Sequence, residues 1–190
     1  LRKDVAKSYS LRYVTGRYDF DMLVMGRTQG KGCYCFVNGL LQAQLAKLQN
    51  NYPYMVVDNE AGMEHISRGV LPNMQTAILV SDCSRRGIQA VGRIKKLIEE
   101  CDMHPQQIGL IVNRAPNGVL NEGTKEEIEI QGLNLLGVVP QDELVYEYDC
   151  EGRPTVELPE DSPVMTVVSF VGDSNIALAI GAVLAIITLG

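Results

Sequence analysis

The chain has 190 residues, of which 46% are hydrophobic and 21% charged, and its net charge is −6. These values predict one globular domain with a single core. The acidic balance, without a basic stripe interleaved with aromatic residues, excludes a nucleic-acid binder. Five cysteines are an odd number, and no stretch resembles a signal peptide. We therefore expect reduced thiols in a cytoplasmic setting rather than a disulfide framework.

Short apolar runs alternate with helical patterns between residues 20 and 150. The runs predict buried strands at Phe20–Met25, Tyr54–Val57, Thr76–Ser81, Ile108–Val112 and Leu133–Val139. The stretches between them predict helices at Asn38–Gln49, Glu64–Gly69, Arg85–Glu100 and Thr124–Gln131, and a further helix that begins at Asp142. This alternation predicts an α/β fold in which a mostly parallel sheet carries helices on both faces.

Two helix starts carry capping signals. Ser84 directly precedes the third predicted helix, where a hydroxyl can accept from a free backbone N–H. Thr124 is followed three residues later by Glu127, the spacing of a capping box, and predicts the start of the fourth helix.

The two ends of the chain lack this pattern. Residues 1–19 are polar and basic and show no strand of their own. Ile176–Leu189 is an apolar run of 14 residues, whereas a membrane span needs about 20. We therefore predict a buried terminal helix and no membrane partner, with a single domain over residues 1–170 and an apolar tail over 171–190.

Unusual residues follow the predicted strands, at the edge where parallel sheets bind ligands. Cys33 and Cys35 follow the first strand, Asp58 ends the second and Asp82 the third. Asn113 ends the fourth strand, and Pro140 follows the fifth. The coincidence predicts a binding site at this edge.

Cys33 and Cys35 are separated by one residue, so a disulfide between them is strained. As thiolates they are ligands for a soft or borderline metal. Two ligands fill half of a four-coordinate centre, and a twofold dimer supplies the other two, which predicts one metal shared by two chains. The alternative is a pair of loop thiols without a ligand role.

The acidic and amide residues have two interpretations each. Asp58 suits magnesium contact or water positioning, with Gly62 allowing close approach of backbone to a phosphate, or it caps the next helix. Asn113 and Arg114 suit recognition and stacking of a purine, or Asn113 bonds to its own backbone. Gly26-Arg-Thr-Gln-Gly30-Lys31-Gly32 is not a phosphate-binding P-loop, because one residue is missing between the glycines and Gly32 replaces the Ser or Thr.

Four motifs, in this order and spacing, resemble the nickel-insertion ATPases of carbon monoxide dehydrogenase and acetyl-CoA synthase maturation. These enzymes are deviant-Walker, MinD-like P-loop ATPases. The motifs are Asp21-Met-Leu-Val-Met-Gly26, Gly32-Cys-Tyr-Cys35, Asp58-Asn-Glu-Ala-Gly-Met-Glu-His65 and Ser84-Arg-Arg86. The resemblance covers roughly residues 18–163.

The resemblance implies an ATP-driven homodimer that uses ATP and Mg²⁺ and delivers Ni²⁺ to carbon monoxide dehydrogenase or acetyl-CoA synthase. Cys33 and Cys35 would hold Ni²⁺, or Zn²⁺ in vitro, and Asp58 with Gly62 would form the catalytic switch. Asn113, with Arg114 beside it, would contact adenine, and Pro140 would lie near the base.

Family members carry a P-loop with its strand upstream of the first residue here, so we expect an incomplete sheet with exposed apolar edges and no hydrolysis from these residues alone. Two alternatives remain: a metal-binding or regulatory module that does not hydrolyse ATP, and a partition-type ATPase relative recruited to membranes.

Overall fold

The computed structural model describes residues 11–14, 22–25, 34–49, 51–52, 54–59, 74–167 and 182–188. The chain separates into two compact units, Leu1–Asn51 and Tyr52–Gly190. The helix expected at Glu64–Gly69 lies outside the described residues. The division into a domain over 1–170 and a tail over 171–190 stays a prediction.

The first unit contains a two-stranded antiparallel sheet and a helix. Strands β1 (Leu11–Val14) and β2 (Met22–Met25) pair antiparallel, and helix α1 spans Tyr34–Gln49. Two expectations were therefore wrong: residues 1–19 do contain a strand, and the run at Phe20–Met25 does not join the parallel sheet. A partner only a short loop away costs little closure entropy. The hairpin leaves Val24 41% exposed, so the expected burial does not hold at this residue.

The second unit is built on a five-stranded parallel sheet. Its strands are β3 (Tyr54–Asn59), β4 (Thr76–Asp82), β5 (Gln107–Ala115), β6 (Leu135–Pro140) and β7 (Ala182–Thr188). Their order across the sheet is β3-β7-β4-β5-β6, and each neighbouring pair is parallel. The parallel α/β architecture and the four strands expected between residues 54 and 140 are confirmed.

Two helices connect β4 to β5 and β5 to β6, and a third follows β6. They are α2 (Arg85–Glu100), α3 (Glu122–Ile130) and α4 (Glu143–Glu151), with 3₁₀ turns at Pro116–Gly118 and Thr155–Glu157. Residues 163–167 are also helical. Helix α2 has the predicted bounds, and Ser84 caps it by accepting from the Gly87 N–H. Asp142 likewise caps α4 by accepting from the Leu144 N–H.

The core of the second unit lies between α2 and the sheet. Ile88, Val91, Ile94 and Ile98 recur at helical spacing on one face of α2 and are almost completely buried. They belong to one apolar cluster with residues of β4 and β5, among them Leu79. Burial of each large side chain contributes about 1.5–3 kcal/mol. This packing anchors α2 against the strand whose carboxyl end precedes it.

The start of α3 differs from the prediction. Asn121, not Thr124, is the N-cap, and its Oδ1 accepts from the Thr124 N–H at 2.9 Å. Thr124 lies inside the first turn and is buried, with its hydroxyl bonded elsewhere. The capping box of Thr124 and Glu127 was therefore wrong: two cap-forming residues stand within four positions, and tertiary contacts decide between them.

The apolar end of the chain also differs from the prediction. The described part of the expected helix over Ile176–Leu189 is strand β7, which pairs with β3 on one side and β4 on the other. Its β-branched residues Val183, Ile186, Ile187 and Thr188 suit a strand bonded on both sides. In the described sheet β7 occupies the place between β3 and β4, while Val56 of the edge strand β3 is 62% exposed, which agrees with the expected exposed apolar edge.

Candidate functional site at the carboxyl edge of the sheet

Three strands bring predicted site residues together at the carboxyl edge. Asp82 is the last residue of β4 and pairs in register with Asn113 of β5. Ala115 of β5 pairs with Pro140, the last residue of β6. Because neighbouring strands lie about 4.8 Å apart, these residues line one short stretch of the edge where open parallel sheets bind ligands.

A β-bulge shapes the end of β5. The register with β6 shifts between Val112 and Ala115, and Arg114 has a φ of 55°. The Arg114 N–H donates to the Asn113 Oδ1 at 2.9 Å. A bulge re-aims the side chains it carries, and a left-handed backbone at a non-glycine residue stores strain that is typical of functional sites. The bulge was not predicted, because neither residue is a glycine.

Asn113 follows the structural interpretation through its side-chain oxygen, and its role in purine recognition stays a prediction. Its carbonyl oxygen bonds to its own backbone, as the structural interpretation expected. The amide nitrogen keeps its two donors, which match the acceptor atoms of a purine ring. Arg114 is exposed, and its guanidinium has no hydrogen bond or ion pair within the described part of the chain. The end of β5 thus presents one amide donor group and one free cation.

Asp82 organises the turn from β4 into α2. Its Oδ1 accepts from the Ser84 N–H at 2.9 Å and from the Ser84 Oγ at 2.6 Å. The Ser84 Oγ in turn accepts from the Gly87 N–H at 3.0 Å. A side chain at Gly87 would collide with the Asp82 carboxylate. The predicted capping by Ser84 is therefore confirmed, and the turn needs glycine at the third helical position.

A second set of contacts joins this turn to α3. The Thr124 hydroxyl donates to the Cys83 carbonyl at 2.8 Å, and Arg85 contacts the Glu127 carboxylate at 3.1 Å. Gln131 donates to the other Glu127 oxygen at 2.8 Å. The hydrogen bond from Gln131, and then Arg85, outweigh the effect of burial and hold the pKa of Glu127 below its ordinary value.

This bracing was not predicted from the sequence, because Arg85 and Glu127 are 42 positions apart. The one available signal was Glu127 itself. It precedes Ile128 on the buried face of α3, and a buried carboxylate needs a partner. Because these contacts join the start of α2 to α3, side chains as well as the sheet hold the loop at Asp82 in place.

Asp58 does not join this group. It pairs with Ile186 of β7, which pairs with Ile78 of β4. Asp58 is thus level with a residue four positions before Asp82, and a whole strand separates them. Its side chain is exposed. Gly62 lies outside the described residues, so the role of the two as a switch stays a prediction.

The cysteine pair falls in the first unit. Cys33 lies outside the described residues, whereas Cys35 is the second residue of α1, which begins at Tyr34. The described residues contain no group of three or more His, Cys, Asp or Glu side chains placed to hold a metal. Cys83, Cys101 and Cys150 are free thiols. The metal site at Cys33 and Cys35 stays a prediction.

Three curated relatives share the pattern of this chain. An uncharacterised ATP-binding protein of Methanocaldococcus jannaschii is 36% identical over 160 residues, 83% of this chain and 62% of that protein. The septum site-determining protein MinD of Synechocystis is 28% identical over 61% of this chain and 44% of its own length. The carbon monoxide dehydrogenase accessory protein CooC of Rhodospirillum rubrum is 24% identical over 72% of this chain and 52% of its own length. No protein-family model matches the chain.

The fold is also similar to that of a solved MinD structure. The MinD cell division protein of Aquifex aeolicus superposes with a TM-score of 0.58 over 74% of this chain and 61% of that one, at 20% identity. This chain is similar in sequence and fold to the MinD-like P-loop ATPases. It spans between 44% and 62% of the length of these three relatives. Among the residues that the structure describes, no helix has the length and apolarity to cross a membrane.

Proposed function

We propose that the chain belongs to an ATP-dependent metallochaperone that inserts nickel into the active-site cluster of carbon monoxide dehydrogenase. Two chains hold the metal between them through Cys33 and Cys35. The observation that carries the proposal is the start of α1 at Tyr34, between the two cysteines. The positive end of a helix favours thiolates, and α1 has no acidic residue in its first turn to oppose this effect.

The similarity to the carbon monoxide dehydrogenase accessory protein CooC supports the choice of cargo. That relative aligns over 151 residues, 72% of this chain. Thiolates are the ligands that soft and borderline metals prefer, so Ni²⁺ fits the pair and Zn²⁺ competes for it in vitro. Two cysteines leave a four-coordinate centre half filled, which is why the proposal requires a homodimer.

The nucleotide half of the proposal rests on the carboxyl edge of the sheet. Asn113 supplies the amide donors for adenine, Arg114 supplies a cation that can stack on the ring, and Pro140 borders the base. Asp58 and Gly62 are assigned to the Mg²⁺ and γ-phosphate side. The ATP-binding name of the Methanocaldococcus relative supports a nucleotide as the ligand.

Native mass spectrometry of the reduced chain, titrated with Ni²⁺, tests the metal half. We expect a dimer that carries one metal for two chains. Cys33→Ser/Cys35→Ser should abolish this species, whereas Cys83→Ser/Cys150→Ser, which removes as many thiols, should keep it. Equal metal binding by the first variant and the parent, or equal loss in both variants, contradicts the proposal.

Calorimetry with ATP and Mg²⁺ tests the nucleotide half on the same chain. Asn113→Ala should weaken binding by about tenfold, the value of one hydrogen bond to the base. Asn134→Ala, at an exposed asparagine in the loop before β6, is the matched control and should change affinity less than twofold. Identical affinities for the parent and Asn113→Ala contradict the assignment of the base site.

A second candidate follows from the similarity to the septum site-determining protein MinD. In that case the chain belongs to a partition-type ATPase recruited to membranes. Residues 182–188 are the apolar segment available for such a role, and they are paired on both sides in the sheet. Nucleotide-dependent flotation with liposomes, lost on deletion of residues 172–190, would favour this candidate; absence of flotation favours the metallochaperone.

A metal-binding module without ATP hydrolysis is supported if Ni²⁺ binds and ATP has no effect.

A further inference from the structure

The negative charge of the chain is concentrated in one short segment. Residues 141–161 contain eight carboxylates and a single basic residue, a net charge of −7. The whole chain carries −6, so the other 169 residues together carry +1. A segment that holds the entire charge imbalance of a protein creates a local field that acts on any approaching partner.

The single cation of this segment is already engaged. Arg153 lies over the Tyr148 ring at 3.7 Å and contacts the carboxylates of Glu151 and Glu157 at 3.5 Å each. The carboxylates of Glu143, Glu147, Asp149, Glu160 and Asp161 have no ion pair with any residue that the structure describes. The surface therefore has unpaired negative charge and no free positive charge.

Large apolar side chains are exposed among these carboxylates. Tyr146 of α4 is 72% exposed, and Val156 in the 3₁₀ turn is 82% exposed. Tyr146 is one helical turn from Glu143 on one side and Asp149 on the other. Single exposed apolar residues are ordinary, but Tyr146 is a large aromatic side chain flanked by these two carboxylates. Tyrosine flanked by a charged rim is typical of interface anchors.

The two apolar residues are held by one folded element. The turn Thr155–Glu157 packs against α4. The Tyr148 hydroxyl donates to the Glu157 carbonyl at 3.4 Å, and the Arg153 N–H donates to the Tyr148 carbonyl at 2.8 Å. Gly152 closes the helix in the left-handed conformation. A preorganised surface loses less entropy on binding than a mobile one.

We propose that the α4 face, defined by Glu143, Tyr146 and Asp149, is a docking surface for a partner protein that presents a basic amphipathic segment. Its charge excludes a second copy, because two such faces repel each other, and disfavours an anionic membrane for the same reason. The lysines or arginines of the partner would pair with the carboxylate rim while its apolar side chains cover Tyr146. The proposal does not depend on nickel or nucleotide binding.

Fluorescence anisotropy on the full chain tests the docking surface, with three labelled synthetic peptides as probes. The first is a helical peptide of Leu and Lys, the second replaces Leu with Ser, and the third replaces Lys with Glu. We expect the Leu–Lys peptide to bind at least about tenfold more tightly than either of the others, with an affinity that falls as salt rises. Equal binding of the Lys–Ser peptide overturns the proposal, because charge alone would then explain the affinity.

Surface variants locate the binding. Tyr146→Ser and, separately, Glu143→Lys/Asp149→Lys should each weaken binding of the Leu–Lys peptide by about tenfold or more. Ile130→Ser, at an apolar side chain 70% exposed outside the segment, should change it less than twofold. Glu99→Lys/Glu100→Lys, at exposed carboxylates of α2, is the matched charge control.

Two results overturn the proposal. Losses of equal size in the controls and in the α4 variants would mean that the peptide binds the whole acidic surface. Self-association of the parent in analytical ultracentrifugation, abolished by Tyr146→Ser, would assign the face to a second copy of the chain. Circular dichroism of each variant shows whether the fold is retained, and the Ser and Lys variants provide independent tests of the same face.

Discussion

Replacement of Arg114 by glycine should stabilise the protein while it weakens nucleotide binding. Arg114 has a φ of 55° in the bulge of β5, where an L-residue with a side chain pays about 1–2 kcal/mol. Glycine removes this cost but loses about 0.5–1 kcal/mol through its greater freedom in the unfolded chain. The net expectation for Arg114→Gly relative to Arg114→Ala is a gain of about 0.5–1 kcal/mol, because both variants lack the guanidinium and only one relieves the backbone.

Urea unfolding of the parent, Arg114→Gly and Arg114→Ala, followed by circular dichroism, measures this difference. Arg93 provides the matched control, because it is exposed on α2 in an ordinary helical conformation. There, Arg93→Gly should be less stable than Arg93→Ala by about 1 kcal/mol, the opposite order. If glycine is also the less stable residue at position 114, the left-handed backbone stores no strain and the argument fails. Calorimetry with ATP should show weaker binding for both variants at position 114, since each lacks the cation.

Three further predictions concern the turn after β4 and its bracing. Thr124→Val should cost about 1–2 kcal/mol in unfolding free energy, because the part-buried Cys83 carbonyl loses its donor; Thr124→Ser should cost clearly less, and equal costs contradict the hydrogen bond. Gly87→Ala should destabilise by about 1–3 kcal/mol through collision with Asp82. In contrast, Gly39→Ala, at a helical glycine with nothing within 4 Å, should stabilise by up to about 1 kcal/mol. The lowered pKa of Glu127 contributes stability above the unfolded-state pKa that is lost as the pH falls through the folded-state pKa, so Glu127→Gln should flatten the acid limb of a stability-against-pH curve.

Periodic segments were predictable from the sequence. The bounds of α2 match the prediction at Arg85–Glu100, because buried residues recur at helical spacing over four turns and Ser84 marks the start. The strands from Tyr54 to Pro140 were also found, since short apolar runs between helices have few other interpretations, although β3 is not buried and leaves Val56 62% exposed. In both cases the local pattern and the tertiary environment favour the same structure.

Elements that depend on distant contacts were not predictable. The run Ala182–Thr188 contains Ala and Leu, which favour helices, and β-branched residues, which favour strands. Its place between β3 and β4 is decided by pairing with residues more than 100 positions away. A distant contact likewise decides the start of α3. The Thr124 hydroxyl donates to the Cys83 carbonyl, and Asn121 provides the cap instead.

The candidate site was predictable by position but not by geometry. The strand-end rule placed Asp82, Asn113 and Pro140 at one edge, and the registers of β4, β5 and β6 confirm this grouping. The rule treats all strand ends as level, however, and Asp58 lies four residues below Asp82 in register. The sequence pattern does not specify the register between neighbouring strands, because interstrand hydrogen bonds set it.

The metal and nucleotide halves of the proposed function rest on different parts of the chain and therefore fail separately. The thiol pair belongs to the unit that ends at Asn51, and the base site belongs to the unit that begins at Tyr52. Loss of ATP binding in Asn113→Ala with full Ni²⁺ binding would keep the metal site, and the reverse pattern would follow from Cys33→Ser/Cys35→Ser. Only a chaperone in which ATP drives metal transfer requires coupling between the two, which binding free energies make reciprocal. An equal change in Ni²⁺ affinity with ATP, and in ATP affinity with Ni²⁺, is the observation that separates such a chaperone from a chain with two independent sites.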